Sequence, residues 1–411
     1  MSTVAPAVST TRVFAIDLGR FAALAGMMAA HTWNRTADGE QTLIGELVAG
    51  RAAALFAVLA GVGVVFVTRR ALAEGRRGIA ARLLLGRALA IFVIGMTLGL
   101  LGTNVYVIIA YYGLLFLAMA PIAGLRSRWL IGIAVVLAVA GPFVNVFVRA
   151  SLGVTEELGS PTWVDLLDPI ALVRGLLITG IYPVITWLVY AIVGMLIGRA
   201  LIRADTVDRV RRLGLVTALG GLVSVVVGYL VSALVLDVVG GRAALAELYG
   251  ADGRRIVDEL LVDGGTGSPP LRSPYWLATA APHTGSTPDL LITAGIAAIT
   301  IGVLLALLPA PGRTLRNVLL PIAGAGAAPL TVYSVHVALT ALVPQTATLL
   351  SPDGFAPFEF RSSLPLYLAN LAVALGIGTV LGLLRIRGPL ETAVTAAGSA
   401  TAGIRRSGNR S

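Results

Sequence analysis

Three histidines are the residues of this chain with the clearest capacity for acid–base chemistry. The sequence contains only His31, His283 and His336, and it contains no cysteine. A neutral imidazole near pH 7 can accept a proton from a hydroxyl or an amine, so we predict a catalytic role for all three. No two histidines stand four residues apart, which is the helical spacing of paired metal ligands, so we expect no metal site.

The first apolar segment carries two further ionisable residues. At 100° per residue around a helix, Asp17, Arg20 and His31 fall in one stripe about 60° wide. Asp17 and Arg20 are three residues apart and can pair, while His31 lies about 21 Å further along the helix. Charges in an apolar segment need partners, so this pair either locks the first helix into a bundle or shapes a functional channel.

Two other polar positions interrupt the apolar segments. Arg51 stands early in the second segment, where it can orient an anionic group or extend to the membrane surface. Tyr333 lies within about 60° of His336 around a helix, so its hydroxyl can hydrogen-bond or position that imidazole. The apolar segment at 318–343, which contains both residues, therefore has a polar face.

The elements that must position these residues follow from the composition. Of the 411 residues, 57% are hydrophobic and only 13% are charged, which excludes an ordinary soluble enzyme. Runs of about 20 apolar residues recur without the alternation of barrel strands, and each is long enough to cross a bilayer as a helix. We therefore predict an all-α polytopic membrane protein of about ten transmembrane helices, with eleven as the alternative. The ten runs are 13–33, 47–68, 83–102, 105–123, 129–148, 175–198, 213–236, 290–308, 318–343 and 364–384.

Arginine placement predicts the orientation. The net charge is +10, all the cations are arginines, and every even-numbered connection is basic, as cytoplasmic loops are. Both termini are then cytoplasmic, with tails at 1–11 and 389–411 around a single transmembrane domain at 12–388. The longest connection, 237–289, is extracytoplasmic. No basic stripe carries stacking aromatic residues, so the expected partner is the lipid bilayer and not a nucleic acid.

Several sequence motifs resemble one enzyme family. Together they are similar to the bacterial, particularly actinobacterial, relatives of heparan-α-glucosaminide N-acetyltransferase, and the resemblance spans nearly the whole chain. Phe21 departs from the family, whose Asp-x-x-Arg motif usually continues with glycine, and the lumenal extension of the animal enzyme has no counterpart. The motifs are RVFAIDLGR (12–20), MMAAH (27–31), GRAAALFAVLAG (50–61), YYGLLF (111–116), TGIYP (179–183), PHTGS (282–286) and LTVYSVH (330–336).

The resemblance implies a multi-pass acyltransferase of the bacterial plasma membrane. Such an enzyme transfers an acetyl or other acyl group from cytoplasmic acetyl-CoA or another acyl-CoA to an extracytoplasmic glycan, lipid or amino-sugar acceptor. His31 is then a general base or a transient acyl carrier, and His283 and His336 position the acceptor or the thioester carbonyl. The implied cofactor-binding residues are Asp17, Arg20, Arg69, Arg70, Arg76, Arg77, Arg82 and Arg87, and the implied substrate-binding residues are Arg51, Tyr112, Tyr182, Ser286 and Tyr333.

Two other function classes stay open at this point. A transporter or flippase for a small solute or a lipid-linked sugar could use the same buried charges as a gate, and it would favour internal inverted repeats. A structural or assembly-partner protein would tolerate replacement of all three histidines. The oligomeric state also stays open, with a homodimer among the alternatives.

Overall fold

The computed structural model of the protein is almost entirely helical. It describes residues 5–33, 36–37, 40–41, 50–103, 105–154, 159–351, 354–355 and 357–404, with one short antiparallel pair, Thr36–Ala37 with Glu40–Gln41. The helices that overlap the predicted apolar runs are α1 Ala5–Thr32, α2 Arg51–Ala73, α3 Arg77–Gly99, α4 Ile109–Ile122, α5 Ser127–Leu152, α7 Val184–Arg203, α8 Val207–Ala233, α11 Thr287–Leu307, α13 Leu320–Ala327, α14 Pro329–Leu350 and α15 Leu364–Leu384. The shorter helices are α6 Pro169–Arg174, α9 Gly241–Glu247, α10 Gly253–Asp263, α12 Arg313–Val318 and α16 Pro389–Thr401.

Each of the ten predicted apolar runs overlaps at least one helix among the described residues. Among the described residues, seven helices are long and apolar enough to cross a membrane, namely α2, α3, α5, α7, α8 with its extension to Val238, α11 and α15. Helix α1 is not among the seven, and Asp17, Arg20 and His31 reduce its hydropathy, while α4 has only 14 residues. The prediction of an all-α chain with multiple membrane-length helices is confirmed at this level.

The ninth predicted run is a broken helix. Helices α13 and α14 are bent by 89° at Ala328, so they form an eighth candidate span only as a pair. Pro329 opens α14, as expected for a residue that lacks a backbone donor and fixes its own φ. His336 therefore lies seven residues into α14, and not at the far end of one straight helix that begins at residue 318.

Glycines allow two central helices to touch backbone to backbone. A Cβ atom at Gly194 of α7 would lie 1.8 Å from the carbonyl oxygen of Val58, and one at Gly61 of α2 would lie 2.0 Å from that of Ala191. Small residues at such crossings are typical of helix packing in membranes, where dispersion contacts replace the hydrophobic effect. Residues of both helices belong to the larger of the two apolar clusters formed by the described residues.

The substitution Gly194→Ala is expected to destabilise the bundle by about 1–3 kcal/mol, because the new methyl group must force the two backbones apart. Thermal unfolding in detergent measures the change. Gly132→Ala on α5 is the matched control, since a Cβ atom there meets nothing within 4 Å. An unchanged melting temperature for the Gly194 variant would contradict the packing described here.

The predicted C-terminal tail contains a helix that packs into the bundle. Helix α16 lies against α3, where a Cβ atom at Gly86 would be 2.5 Å from the carbonyl oxygen of Ala397. Glu391 caps the first turn of α14, since its carboxylate accepts bonds from the amides of Leu330 and Thr331 at 2.7 and 3.1 Å and from the Thr331 hydroxyl at 2.6 Å. Helix α16 thus holds the helix that carries His336.

Candidate active site

Two of the three histidines meet in the structure. Nδ1 of His31, at the end of α1, lies 3.0 Å from Nε2 of His336 on α14, and the two rings stack with centroids 5.3 Å apart and planes 7° from parallel. Nδ1 of His336 lies 2.9 Å from Oδ1 of Asn370 on α15. Three helices therefore contribute one residue each to a continuous hydrogen-bonded chain, which we call the Asn–His–His chain.

The direction of the hydrogen bonds in this chain follows from Asn370. Its amide nitrogen donates to the carbonyl oxygen of Leu366 at 2.9 Å, so Oδ1 faces His336 as an acceptor. An acceptor at that point requires a proton on Nδ1 of His336, and Nε2 of the neutral ring then carries the lone pair. That lone pair in turn requires a proton on Nδ1 of His31. The reactive lone pair of the chain is therefore on Nε2 of His31.

Burial is graded along the chain. Asn370 and His336 are each 2% exposed, whereas His31 is half-buried. Buried hydrogen-bonded partners of this kind fix the orientation and tautomer of a neighbouring imidazole. His31 is thus the most exposed member of a preorganised chain.

Backbone and aromatic contacts hold the C-terminal end of α1 against the N-terminal end of α15. The amide of Ser363 donates to the carbonyl oxygen of Thr32 at 2.7 Å, and the rings of Trp33 and Tyr367 lie 5.2 Å apart. On the other side of the chain, the ring of Tyr333 packs edge-on against His336 at 6.4 Å, and its hydroxyl accepts a long bond of 3.4 Å from the amide of Ile108. Tyr333 therefore contacts the His336 ring, and its described hydroxyl bond is made to Ile108 and not to the imidazole.

His283 belongs to a second group of residues. Its ring lies 6.1 Å from that of Tyr182, and it lines a cavity of about 10 Å³, which is room for about one water molecule. Its φ of 60° is in the left-handed region, which a non-glycine residue rarely adopts outside turns and functional sites. The cavity is lined by Gly50, Trp187, Tyr190, Gly267, His283, Gly285, Asp289, Leu290 and Thr293.

Asp289 is a buried carboxylate that the sequence analysis did not select. It is 4% exposed and accepts hydrogen bonds from the amide of Gly285 at 2.9 Å and from the hydroxyl of Thr293 at 3.0 Å. The charge of Arg51 also acts on it. Its signal in the sequence is a position three residues after the helix-capping Ser286, which is the spacing of a capping motif. Asp289 fixes the conformation of the turn that follows His283.

Comparison with known proteins adds no family. No family model and no curated protein matches this chain. The functional assignment of the site therefore depends on the geometry of its residues.

Helix α4 lies between the two groups of residues. The amide of its N-cap residue, Ile108, contacts Tyr333, and the ring of Tyr111 packs edge-on against Tyr182 at 5.5 Å. Tyr112 donates its hydroxyl to the carbonyl oxygen of Ala53 at 3.0 Å. The first turn of α4 thus forms an aromatic wall next to both histidine groups.

Ser286 has a structural contact of its own. It is fully buried, its hydroxyl donates to the carbonyl oxygen of Thr279, and its oxygen accepts from the amide of Asp289 at 3.2 Å. This hydroxyl therefore caps α11 and fixes the preceding loop. The described hydrogen bonds of Tyr112 and Ser286 are made to protein atoms, and their predicted roles in substrate binding stay predictions.

Asp17 and Arg20 pair within α1, with Nη1 of the arginine 2.7 Å from Oδ1 of the aspartate. A Cβ atom at Gly326 would lie 1.8 Å from the carbonyl oxygen of Asp17, so α13 crosses α1 at this residue. The pair is about 21 Å along α1 from His31, at 1.5 Å per residue. It therefore lies far from the Asn–His–His chain, next to the broken helix.

Apart from Arg20, the predicted cofactor-binding arginines separate into two sets. Arg69, Arg70, Arg76, Arg77 and Arg82 are exposed around the turn between α2 and α3. Glu74 forms ion pairs with Arg70 at 3.1 Å and with Arg76, and the hydrogen bond from Arg70 lowers the pKa of this carboxyl. Arg87 lies apart from these residues, packed against α16.

Proposed function

We propose that the protein is an integral membrane acyltransferase. It transfers an acetyl or other acyl group from cytoplasmic acyl-CoA to a hydroxyl or amine of an extracytoplasmic glycan, lipid or amino-sugar acceptor. The observation that carries the proposal is the Asn–His–His chain, in which two buried residues place a lone pair on Nε2 of a more exposed histidine. An imidazole oriented by such partners is suited to remove a proton from an attacking hydroxyl or amine.

Each residue of the Asn–His–His chain has a separate role in the proposed proton transfer. His31 accepts the proton of the acceptor group on Nε2 as that group attacks the acyl carbon. The positive charge that develops on His31 is stabilised through Nδ1–H by the lone pair of His336, and Asn370 holds His336 in the required tautomer. His31 then returns the proton to the departing sulfur, so the acceptor loses one hydrogen and the thiol gains it. The acyl thioester supplies only the activated carbonyl and the leaving group.

The arginine-rich turn between α2 and α3 carries positive charges that are suited to bind the phosphates of such a co-substrate. Arg69, Arg77 and Arg82 are exposed there beside the Arg70–Glu74–Arg76 group. Guanidinium groups bind phosphates with paired, charge-assisted hydrogen bonds. These arginines can therefore attract the nucleotide end of an acyl-CoA from the cytoplasm.

The proposal includes the topology predicted from the arginines, with ten spans and both termini in the cytoplasm. Helix α1 then runs outward and ends at the extracytoplasmic side with His31. The arginine turn between α2 and α3 lies on the opposite side. This arrangement separates a cytoplasmic acyl donor from an extracytoplasmic acceptor, and it places the reacting imidazole near the acceptor.

Purified full-length protein incubated with acetyl-labelled CoA tests the proposal. We expect release of free CoA with labelled acetate or a labelled acceptor as the second product, and the addition of amino sugars and membrane lipid extracts identifies the acceptor class. Absence of CoA binding and of turnover with every acceptor would overturn it.

The broken helix supports a transporter or flippase as the second candidate. Discontinuous helices near the middle of a membrane often form the substrate site of transporters, and the break at Ala328 lies where α13 crosses α1 at Asp17. A transporter would move a labelled solute or lipid-linked sugar across proteoliposomes without chemical change. Transport that persists in His31→Ala, together with no acyl turnover, would favour this candidate.

A further inference from the structure

Arg87 is a cation held between two helices, and none of the described residues forms an ion pair with it. It lies on α3, about 15 Å along that helix from Arg77 at the helix start. Its stem packs against α16, where its Cγ atom lies 3.0 Å from the position of a Cβ atom at Gly398. Of its five N–H donors, Nη2 donates to the hydroxyl of Thr395 at 3.1 Å, whereas Nε is buried and makes no hydrogen bond.

A second arginine lies close to this group. Arg387 precedes α16 by two residues, and its charge acts on Arg87. In the parts of the chain that the structure describes, neither arginine takes part in an ion pair. Glu391 is the acid within α16, and both of its oxygens are engaged by the first turn of α14. Arg87 thus has an unused donor, and the positive charge of Arg387 also acts on it.

This arrangement favours an anion. A partly buried charge without a counter-charge is unfavourable, and the planar fork of arginine is well suited to bind phosphate oxygens with paired hydrogen bonds. The Thr395 hydroxyl accepts from Arg87, which leaves its own hydrogen for a further oxygen. Both the nucleotide phosphates of an acyl-CoA and the headgroups of anionic lipids offer this chemistry, the latter in basic pockets on the cytoplasmic side.

We propose that Arg87, Arg387 and the hydroxyl of Thr395 bind a phosphate group between α3 and α16. This site is separate from the exposed arginine turn between α2 and α3. The proposed site can be tested independently of acyl transfer, because the test measures phosphate binding and not turnover. Occupancy would join α16 to α3, and through Glu391 it would steady the helix that carries His336.

Binding to purified full-length protein in detergent tests the site. The free-phosphate arm uses calorimetry with adenosine 3′,5′-bisphosphate and pyrophosphate. The lipid arm uses native mass spectrometry with cardiolipin or phosphatidylglycerol, and phosphatidylcholine as the neutral comparison. We expect at least one arm to bind, and Arg87→Gln to weaken that binding by about tenfold or more, as loss of a charge-assisted hydrogen bond predicts. The arm that responds identifies the source of the phosphate.

Two further variants keep the result interpretable. Arg387→Gln removes the exposed partner without disturbing the packed stem of Arg87, so it must also weaken binding even if the Arg87 variant unfolds. Arg211→Gln, an exposed arginine at the start of α8, removes the same charge elsewhere and must change the affinity by less than about twofold. Binding that is unchanged in Arg87→Gln and Arg387→Gln, or an equal loss in Arg211→Gln, would overturn the proposal, as would no binding in either arm.

Discussion

Replacing His31 with alanine is expected to lower the rate of the proposed acyl transfer from labelled acetyl-CoA by about 10²–10⁴-fold, the usual contribution of a general base. The reason is the direction of the Asn–His–His chain, which leaves the reactive lone pair on Nε2 of His31 and on no other nitrogen of the chain. Initial rates at saturating acetyl-CoA measure the effect. A loss of this size in kcat, with little change in the affinity for CoA, is expected because the imidazole lies far from the basic turn.

The fold of the His31→Ala variant should survive, because His31 is half-buried and terminates its helix. Arg255→Gln, an exposed position on α10, serves as the control for handling and detergent effects and keeps the activity of the unaltered protein. A His31→Ala protein with the unaltered rate would remove the histidine from the mechanism. If His31→Ala were inert and unfolded, His31→Gln, which keeps a polar side chain of similar size, would replace it in the same assay.

Replacing Asn370 with leucine, which is nearly the same size, is expected to lower the proposed rate by about 10–100-fold, the range seen when a supporting partner is removed. Leucine cannot accept the proton of Nδ1 of His336, so that ring can adopt the other tautomer and no longer orders His31. The stability should also fall by about 1–3 kcal/mol, since a buried donor loses its acceptor. Rates and thermal unfolding measured on one preparation give both effects.

The conservative variant Asn370→Asp separates positioning from packing. Aspartate keeps an oxygen acceptor opposite His336, so this variant is expected to retain more activity than Asn370→Leu. Equal activity in the two variants would mean that Asn370 acts only by filling space. Full activity in Asn370→Leu would contradict the role assigned to the chain.

Hydropathy predicts much of the helical fold. Uncharged runs of membrane length locate the helices because an unsatisfied backbone is costly in hydrocarbon, and each predicted run contains a helix. The pairing of Asp17 with Arg20 also follows from spacing, since residues three apart share a helix face. These features depend on local sequence alone.

The assembly of the site depends on contacts between distant segments, which one sequence does not reveal. His31 and His336 are 305 positions apart, and nothing in their local sequence indicates that their rings stack. Asn370 lies in an apolar run and is uncharged, so it does not stand out beside the histidines. The 89° bend at Ala328 follows Gly326, where α13 packs across α1 at Asp17, and neither the angle nor this contact can be read from one sequence.

Measuring the tautomers of the histidines is the most direct test of the claim that the Asn–His–His chain places a lone pair on Nε2 of His31. The chain has only three histidines, so ¹⁵N nuclear magnetic resonance of histidine-labelled protein in lipid resolves each ring, and single substitutions assign the signals. We predict that the neutral rings of His31 and His336 both carry their proton on Nδ1. A proton on Nε2 of His31, which would remove its reactive lone pair, would contradict the mechanism proposed here.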